Sequence, residues 1–478
     1  MSTRKVVTNT IYYGVVPKLS MLLSIVILPL TTPFLTTDDY GIYGTITAYT
    51  SLFVSIAPLG LNVHLTNSFF EYPRHYNLVW GRVLMLILMS SFLFGVVNIG
   101  ILLFTLKKYE EALPPDMVGR LSLCLIGTMP IFLLANGLLA QHIFPLRENP
   151  KPLVFTNLAG SVIGLLVSFV MIYFLRLGYW GLIANAAVSV VFIFAVFVKY
   201  VWADFDIRPI LDRKWQRVKE MLRIALPLVP HTLGFVLLTI SARIVMSQYH
   251  VSLGDIGLYS HGSTMGDYAV IVTSALVTAL GPQIQRAYRS GNYLAYRKLY
   301  FLCQTVALTT TFLICVWMPE IYSLLIRNEN LAQSCDIASV LCFANVVFAF
   351  YTFMSAPVFI EKNTMQLLWL VFVPGILNFA LCFALIPFFG YRVAIYSTLI
   401  SYWSQLLIPY FVGYYKKNVK MWLGNLTWPL AILVVILADL LLANSIMYTA
   451  IWLKVILAFV AVGSLFFFYR HYKLNELV

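Results

Sequence analysis

The chain has 478 residues, 60% of them hydrophobic and only 11% charged, with a formal net charge of +13. A soluble domain devotes about 25% of its residues to charge, so this composition excludes that class and indicates a polytopic membrane protein. The basic excess is not a nucleic-acid signal either, because its placement along the chain follows membrane topology.

In chain order, apolar stretches of span length predict transmembrane helices at 11–35, 41–66, 81–105, 119–140, 152–175, 179–201, 224–247, 256–285, 297–318, 336–360, 364–387, 390–413, 425–443 and 448–469. The expected fold is an all-α polytopic membrane protein of about fourteen transmembrane helices. It comprises a six-helix bundle over 1–201, a cytoplasmic linker over 202–223, a second six-helix bundle over 224–413 and two additional helices over 414–478. The basic segment 1–9 runs into a stretch of full span length without a small-residue cleavage site, so it reads as the start of span 1 and not as a cleaved leader.

With the N-terminus in the cytoplasm, 23 of the 32 Lys and Arg residues fall on the inner side. Six fall on the outer side (Lys107, Lys108, Arg120, Arg176, Arg327, Arg392), and three lie within spans (Lys18, Arg243, Lys454). The positive-inside rule therefore puts both termini in the cytoplasm. The largest charged break, 199–223, holds Arg208, Arg213, Lys214, Arg217, Lys219 and Arg223. Within it Trp215, Val218 and Leu222 recur at helical spacing, which predicts a basic amphipathic helix on the inner membrane surface. The six cysteines (124, 303, 315, 335, 342, 382) show neither metal-ligand nor disulfide spacing and read as core packing.

A weak internal repeat supports two related halves. Asp39-Tyr40-Gly41-Ile42-Tyr43 opens span 2 and Asp255-Ile256-Gly257-Leu258-Tyr259 opens span 8, an offset of 216, each after a proline-containing span. The acidic residue suits a helix N-terminus and the tyrosine a membrane interface. With six spans between them the two halves run in the same direction, as in transporters that bind substrate at the midplane and rock between two open states.

The run Gly14…Leu22-Leu23-Ser24…Leu28-Pro29-Leu30…Phe34-Leu35…Asp39-Tyr40-Gly41-Ile42-Tyr43 resembles the opening of Wzx-type O-antigen flippases. So does Ala225-Leu226-Pro227-Leu228-Val229-Pro230-His231…Ser241-Ala242-Arg243-Ile244-Val245…Gly257-Leu258-Tyr259. These proteins belong to the multidrug/oligosaccharidyl-lipid/polysaccharide exporter superfamily. The resemblance implies two six-helix bundles whose spans 1, 2, 7 and 8 line a central cavity. It also implies transfer of an undecaprenyl-pyrophosphate-linked oligosaccharide from the inner to the outer leaflet of the bacterial cytoplasmic membrane, in concert with a polysaccharide polymerase and a chain-length regulator. Many such relatives carry an acidic residue before the arginine that matches Arg243; here that residue is Ala242.

An ionised group in hydrocarbon costs several kcal/mol, so intramembrane charges are the first candidates for function. Lys18 lies in span 1 toward its inner end and would meet the substrate pyrophosphate, or else snorkel to the interface. Arg243, near the outer end of span 7, offers a planar fork to phosphate at the exit side, with His261 of span 8 at similar height; a structural contact with loop carbonyls is the alternative. Asn62, His64 and Asn67 of span 2 are candidate sugar contacts, although Asn in polytopic bundles often joins helices. Asp267, near the middle of span 8, is either an ion-coupling carboxylate or the partner of Lys18 or Arg243, and His231 of span 7 is a candidate proton carrier. Lys454 and Asp439 are expected to pair with each other.

Two other functions fit a polytopic chain. A cation-coupled drug antiporter should display carboxylates in its cavity, whereas spans 1, 2, 7 and 8 carry Lys18 and Arg243 against Asp267 alone. A membrane polysaccharide polymerase or ligase should carry a large polar outer loop, and the longest here, 106–118 and 319–335, hold no nucleophile–base or metal constellation. A transporter and not an enzyme is expected, with no cofactor or metal. The absence of a phosphate-binding glycine loop directs the expectation to an H⁺ or Na⁺ gradient.

Overall fold

Lipid offers backbone N–H and C=O groups no partners, so an apolar chain of this kind must satisfy them within helices. The computed structural model describes residues 16–212, 214–361, 366–412, 423 and 425–471, with side chains from 19 to 465. It contains helices throughout and no strand among these residues. Among the described residues ten helical segments are long and apolar enough to cross a membrane, and Leu19–Phe34 and Ile451–Leu465 are shorter apolar helices. The two remaining predicted spans are also helical. One is a less apolar helix, Thr37–Ile56, with Asp38 and Asp39 in its first turn; the other, Val393–Leu407, has only 15 residues.

The chain divides into two compact units, 1–257 and 258–478. The first contains α1 (Val16–Thr31), α2 (Thr37–Ile56), α3 (Asn62–Glu71), α4 (Tyr76–Leu106), α5 (Met117–Phe132), α6 (Leu134–Leu146), α7 (Pro150–Phe169), α8 (Tyr179–Val198), α9 (Trp215–Ala225), α10 (Val229–Gln248) and the start of α11 (Leu253–Asp267). Span 7, α10, packs along α2 within this unit. Span 2 is broken between α2 and α3, where Pro58 precedes two residues of positive φ, Leu59 at 51° and Gly60 at 70°. The Ser90 hydroxyl donates to the freed Ala57 carbonyl at 2.5 Å. A Cβ at Gly60 would overlap the Ala225 carbonyl at the end of α9, so only glycine fits there. At the α3 end, Trp80 is fully buried and its indole N–H reaches the Leu65 carbonyl at 3.0 Å and Ser68 Oγ at 3.1 Å.

The predicted amphipathic helix is α9. It buries Val218 and Ala225 but turns Trp215 outward, 71% exposed, so that ring is not part of the packed face. The segment before it is pinned by Ile210 N–H to the Gly81 carbonyl at 2.9 Å and by Asp212, which meets Arg82 at 3.3 Å.

The second unit continues with α12 (Ala269–Arg289), α13 (Tyr293–Val316), α14 (Met318–Leu325), α15 (Glu329–Ala332), α16 (Cys335–Asn345), α17 (Val347–Ile360), α18 (Leu367–Phe389), α19 (Val393–Leu407), α20 (Thr427–Ile446) and α21 (Ile451–His471). Its centre is the α16–α17 segment, the most enclosed of the ten long segments, against which α12, α13, α19 and α20 pack. All six cysteines of the chain are buried free thiols. The expected Lys454–Asp439 pair is not formed. Lys454 stands in the first turn of α21, and its Nζ meets Glu320 Oε1 and the Met447 carbonyl, both at 2.5 Å. Depth along the helix suggested Asp439, but the long lysine stem carries the charge back past the helix start to α14.

Candidate functional site

The repeat seen in the sequence has a three-dimensional counterpart. Thr36 caps α2: its Oγ1 accepts Asp39 N–H at 3.1 Å while Asp39 Oδ2 accepts Thr36 N–H at 2.7 Å. At an offset of 216, Ser252 Oγ accepts Asp255 N–H at 3.1 Å and donates to Asp255 Oδ2 at 2.8 Å. Asp39 has a second task, accepting Tyr179 N–H at 2.8 Å at the start of α8. Between the capped ends, Gly41 lies against the Leu253 backbone and Gly257 against the Thr37 backbone, each too close for a Cβ. Residues 41 and 257 are related by the offset, and so are 37 and 253, so the contact is reciprocal, in the manner of a two-fold interface.

The α10 end beyond Arg243 is tied to the same region. Tyr49 Oη bonds Ser247 Oγ at 3.1 Å and accepts Gln248 Nε2 at 2.6 Å; Lys108 Nζ reaches the Gln248 carbonyl at 3.2 Å. A cation on the last carbonyls of a helix also complements its dipole.

Next to this contact the first unit holds a cavity of about 400 Å³. One wall is the stripe Tyr43, Thr47, Thr50, Ser51, Val54 and Ser55 of α2, and α5, α8 and Val236 of α10 complete it. No carboxylate is among its described lining residues. Behind it, Thr50 Oγ1 donates to the Gly127 carbonyl at 3.0 Å, and Asn98 Nδ2 donates to Thr128 Oγ1 at 2.9 Å, which joins α2, α4 and α5. Arg243 lies two turns beyond Val236 on the same face of α10. Its Nη2 donates to the Thr239 carbonyl at 3.3 Å, and its buried Nε has no hydrogen-bond partner. No carboxylate pairs with Arg243 among the described residues, in keeping with Ala242 at the preceding position.

The other predicted residues are distributed as follows. Lys18 belongs to α1, and its side chain lies outside the described residues. Asn62 opens α3, half-buried, and His64 two residues on shares a 2.9 Å hydrogen bond between Nε2 and the Met221 carbonyl of α9. His231 stands in the first turn of α10 with its ring edge on Phe235; its buried Nε2 has no hydrogen-bond partner. In the second unit His261 is 1% exposed, with Nδ1 2.7 Å from Ser334 Oγ and its ring against Tyr322. Asp267, exposed, ends α11 and accepts Asn345 Nδ2 at 2.9 Å, at the residue that ends α16. Two helix breaks thus face each other across a carboxylate–amide pair.

Sequence reasoning missed the hydroxyl stripe of α2. Its signal was present: 43, 47, 50, 51, 54 and 55 follow a 3.6-residue period. Among the described residues no group of three or more His, Cys, Asp or Glu side chains could hold a metal.

Residues 6–288 match the model of a family described as polysaccharide biosynthesis protein. No curated protein matches the sequence. Among solved structures, an inward-facing multidrug resistance MATE family transporter of the MOP superfamily is 12% identical, over 90% of this chain and 96% of that one, with a TM-score of 0.61. The lipid II flippase MurJ, in an inward closed conformation, is 13% identical over 97% of this chain and 100% of that one, with a TM-score of 0.70. At such identities the likeness is one of fold. The family match covers more than half of the sequence, and the chain therefore belongs to the polysaccharide biosynthesis protein family, built on the fold of MOP-superfamily transporters.

Proposed function

We propose that this multi-pass membrane protein is a flippase for an undecaprenyl-pyrophosphate-linked oligosaccharide, moving it from the cytoplasmic to the periplasmic leaflet by alternating access for O-antigen or another surface polysaccharide. The observation that carries the reading is Arg243, without a carboxylate partner among the described residues, beside a largely apolar cavity whose α2 wall carries hydroxyls and whose described lining holds no carboxylate. A guanidinium with unused N–H capacity suits pyrophosphate, and hydroxyls suit sugar. The same wall is ill-suited to an organic cation, which argues against a drug antiporter. Family membership in polysaccharide biosynthesis and a fold shared with a lipid II flippase support the substrate class.

In this reading Lys18 and Arg243 engage the pyrophosphate early and late in transfer, and Asn62 contacts sugar. Asp267, at the paired helix breaks, and His231 serve coupling to an H⁺ or Na⁺ gradient, since interrupted helices are where transporters of this kind hold ions. The basic excess supports a bacterial inner-membrane protein with both termini in the cytoplasm, delivering substrate to a polymerase and its chain-length regulator. The test is deletion of the gene followed by sidedness analysis of lipid-linked intermediates. Substrate accumulating on the inner leaflet is expected, with rescue by wild type and not by Lys18→Ala or Arg243→Ala at equal protein levels. Substrate still reaching the outer leaflet in a strain without a redundant transporter would overturn the assignment.

A further inference from the structure

In the second unit α12 departs from the helices around it. It ends the least apolar of the ten long segments, and little of that segment is buried. Its exposed residues recur at every third or fourth position and so form one face, which includes Ala275, Thr278, Gln285, Arg286 and Arg289. Val272 is the one large apolar side chain exposed on the helix. By contrast, α18 exposes Trp369, Phe379 and Phe383, and α21 exposes Trp452 and Phe459. Those two helices offer lipid the surface it favours, whereas small and polar groups within a membrane face water or a polar passenger. Pro282, on the same face of α12, supplies no N–H to the Thr278 carbonyl, a group that lipid could not satisfy. Beside it the space is open, since a Cβ at Gly281 would meet nothing within 4 Å.

The face ends in a pair of cations. Arg286 and Arg289 stand in the last turn, three residues apart and therefore neighbours on the helix surface. Both are exposed, and no carboxylate pairs with either among the described residues. The carboxylate that reaches this end of α12, Glu361, accepts the Tyr288 hydroxyl. Two guanidinium forks side by side repel each other when empty, and each can take one phosphate of a diphosphate. From Arg289 back to Ala275 the polar face runs about 21 Å, at 1.5 Å per residue. A phospholipid held at the arginines would lay its acyl chains along that face, where no large apolar side chain is exposed between 273 and 289. A sugar would find hydroxyl and amide groups there instead.

We propose that Arg286 and Arg289 capture the pyrophosphate of the lipid-linked sugar as it leaves the inner leaflet, and that the polar face of α12 receives the sugar. The proposal rests on the flippase reading and adds to it the residues of first contact. The positive-inside count assigns the end of span 8 to the cytoplasmic side, the side from which that reading draws its substrate.

The test uses the full-length protein in phosphatidylcholine nanodiscs that carry undecaprenyl pyrophosphate or phosphatidylglycerol, with retention read by native mass spectrometry and folding by thermal unfolding. Wild type should retain undecaprenyl pyrophosphate selectively. Arg286→Gln/Arg289→Gln should weaken that retention about 100-fold, roughly ten-fold for each charge-assisted contact, with the unfolding temperature little changed. Arg286→Lys/Arg289→Lys keeps the charge and loses the forks, and should retain about ten-fold less than wild type. Lys151→Gln, at the exposed start of α7, removes a charge assigned to the same side and should retain as wild type does. Undiminished retention in the glutamine variant, wild-type retention in the lysine variant, or an equal loss in Lys151→Gln would each overturn the proposal and leave the flippase reading standing. Equal retention of the two lipids by wild type would overturn both.

Discussion

Lys454→Ala is the sharpest test of how the second unit is held together. Lys454 is fully buried, while its partner Glu320 keeps 30% of its side chain exposed. Removing the lysine strands a carboxylate that can partly rehydrate, together with the Met447 carbonyl, so the cost should fall at about 3 kcal/mol, the low end for breaking a buried pair. Glu320→Gln strands the ammonium, which has no route to water, and should cost more, toward about 5 kcal/mol. The double variant Lys454→Met/Glu320→Gln removes both charges at similar volume and should recover most of that loss. Reversible unfolding in mixed detergent micelles reads all of these, and Asp439→Asn supplies the control, since Asp439 was the partner suggested by depth alone. It should add to Lys454→Ala within about 0.5 kcal/mol. A wild-type unfolding curve for Lys454→Ala, or strong coupling to Asp439 with none to Glu320, would refute the assignment.

Gly41→Ala and Gly257→Ala should each lose about 1–3 kcal/mol through backbone overlap, outweighing the helix gain of up to about 1 kcal/mol, whereas Gly100→Ala in α4, with open space around it, should be neutral or stabilising in the same unfolding assay. Asp39→Asn should cost about 2 kcal/mol, because the carboxylate serves both the Thr36 cap and Tyr179 N–H, and Asp255→Asn about 1 kcal/mol, because the carboxylate serves the Ser252 cap. Ser51→Leu, on the exposed stripe of α2, should leave the unfolding curve in place and cut transport about ten-fold, equivalent to roughly 1.4 kcal/mol on the transport barrier, in a vesicle flipping assay.

Hydropathy made the helices legible because lipid enforces them, and the same averaging concealed where they break. Leu59 carries a positive φ that no leucine advertises, and Pro58 beside it is one of many prolines tolerated in membrane helices. The stripe from Tyr43 to Ser55 was hidden for a related reason. Serine and threonine in spans commonly satisfy themselves on the preceding turn, as Thr47 does on the Tyr43 carbonyl at 2.8 Å, so their presence alone does not announce a cavity. Charges were easy to find and hard to pair. Glu320 falls in a segment that reads as an outer loop, yet it folds into α14 and meets a lysine 134 residues away.

The repeat shows the opposite case, a faint signal with a physical cause. A five-residue match at an offset of 216 carries little weight as a pattern. It gains weight because the matched residues do matched work. The acids complete equivalent caps, and the glycines remove the same Cβ from the same contact seen from its two sides. A reciprocal contact of this kind constrains both copies together. A side chain at either glycine pushes on the backbone of the other copy's first turn, so neither position can enlarge without moving the other. The acids are matched only in part: both complete a cap, and Asp39 also accepts Tyr179 N–H. The motif is legible because its matched residues do matched work, the acids at the caps and the glycines at the reciprocal contact, whereas no such work marks the rest of the 216-residue relationship.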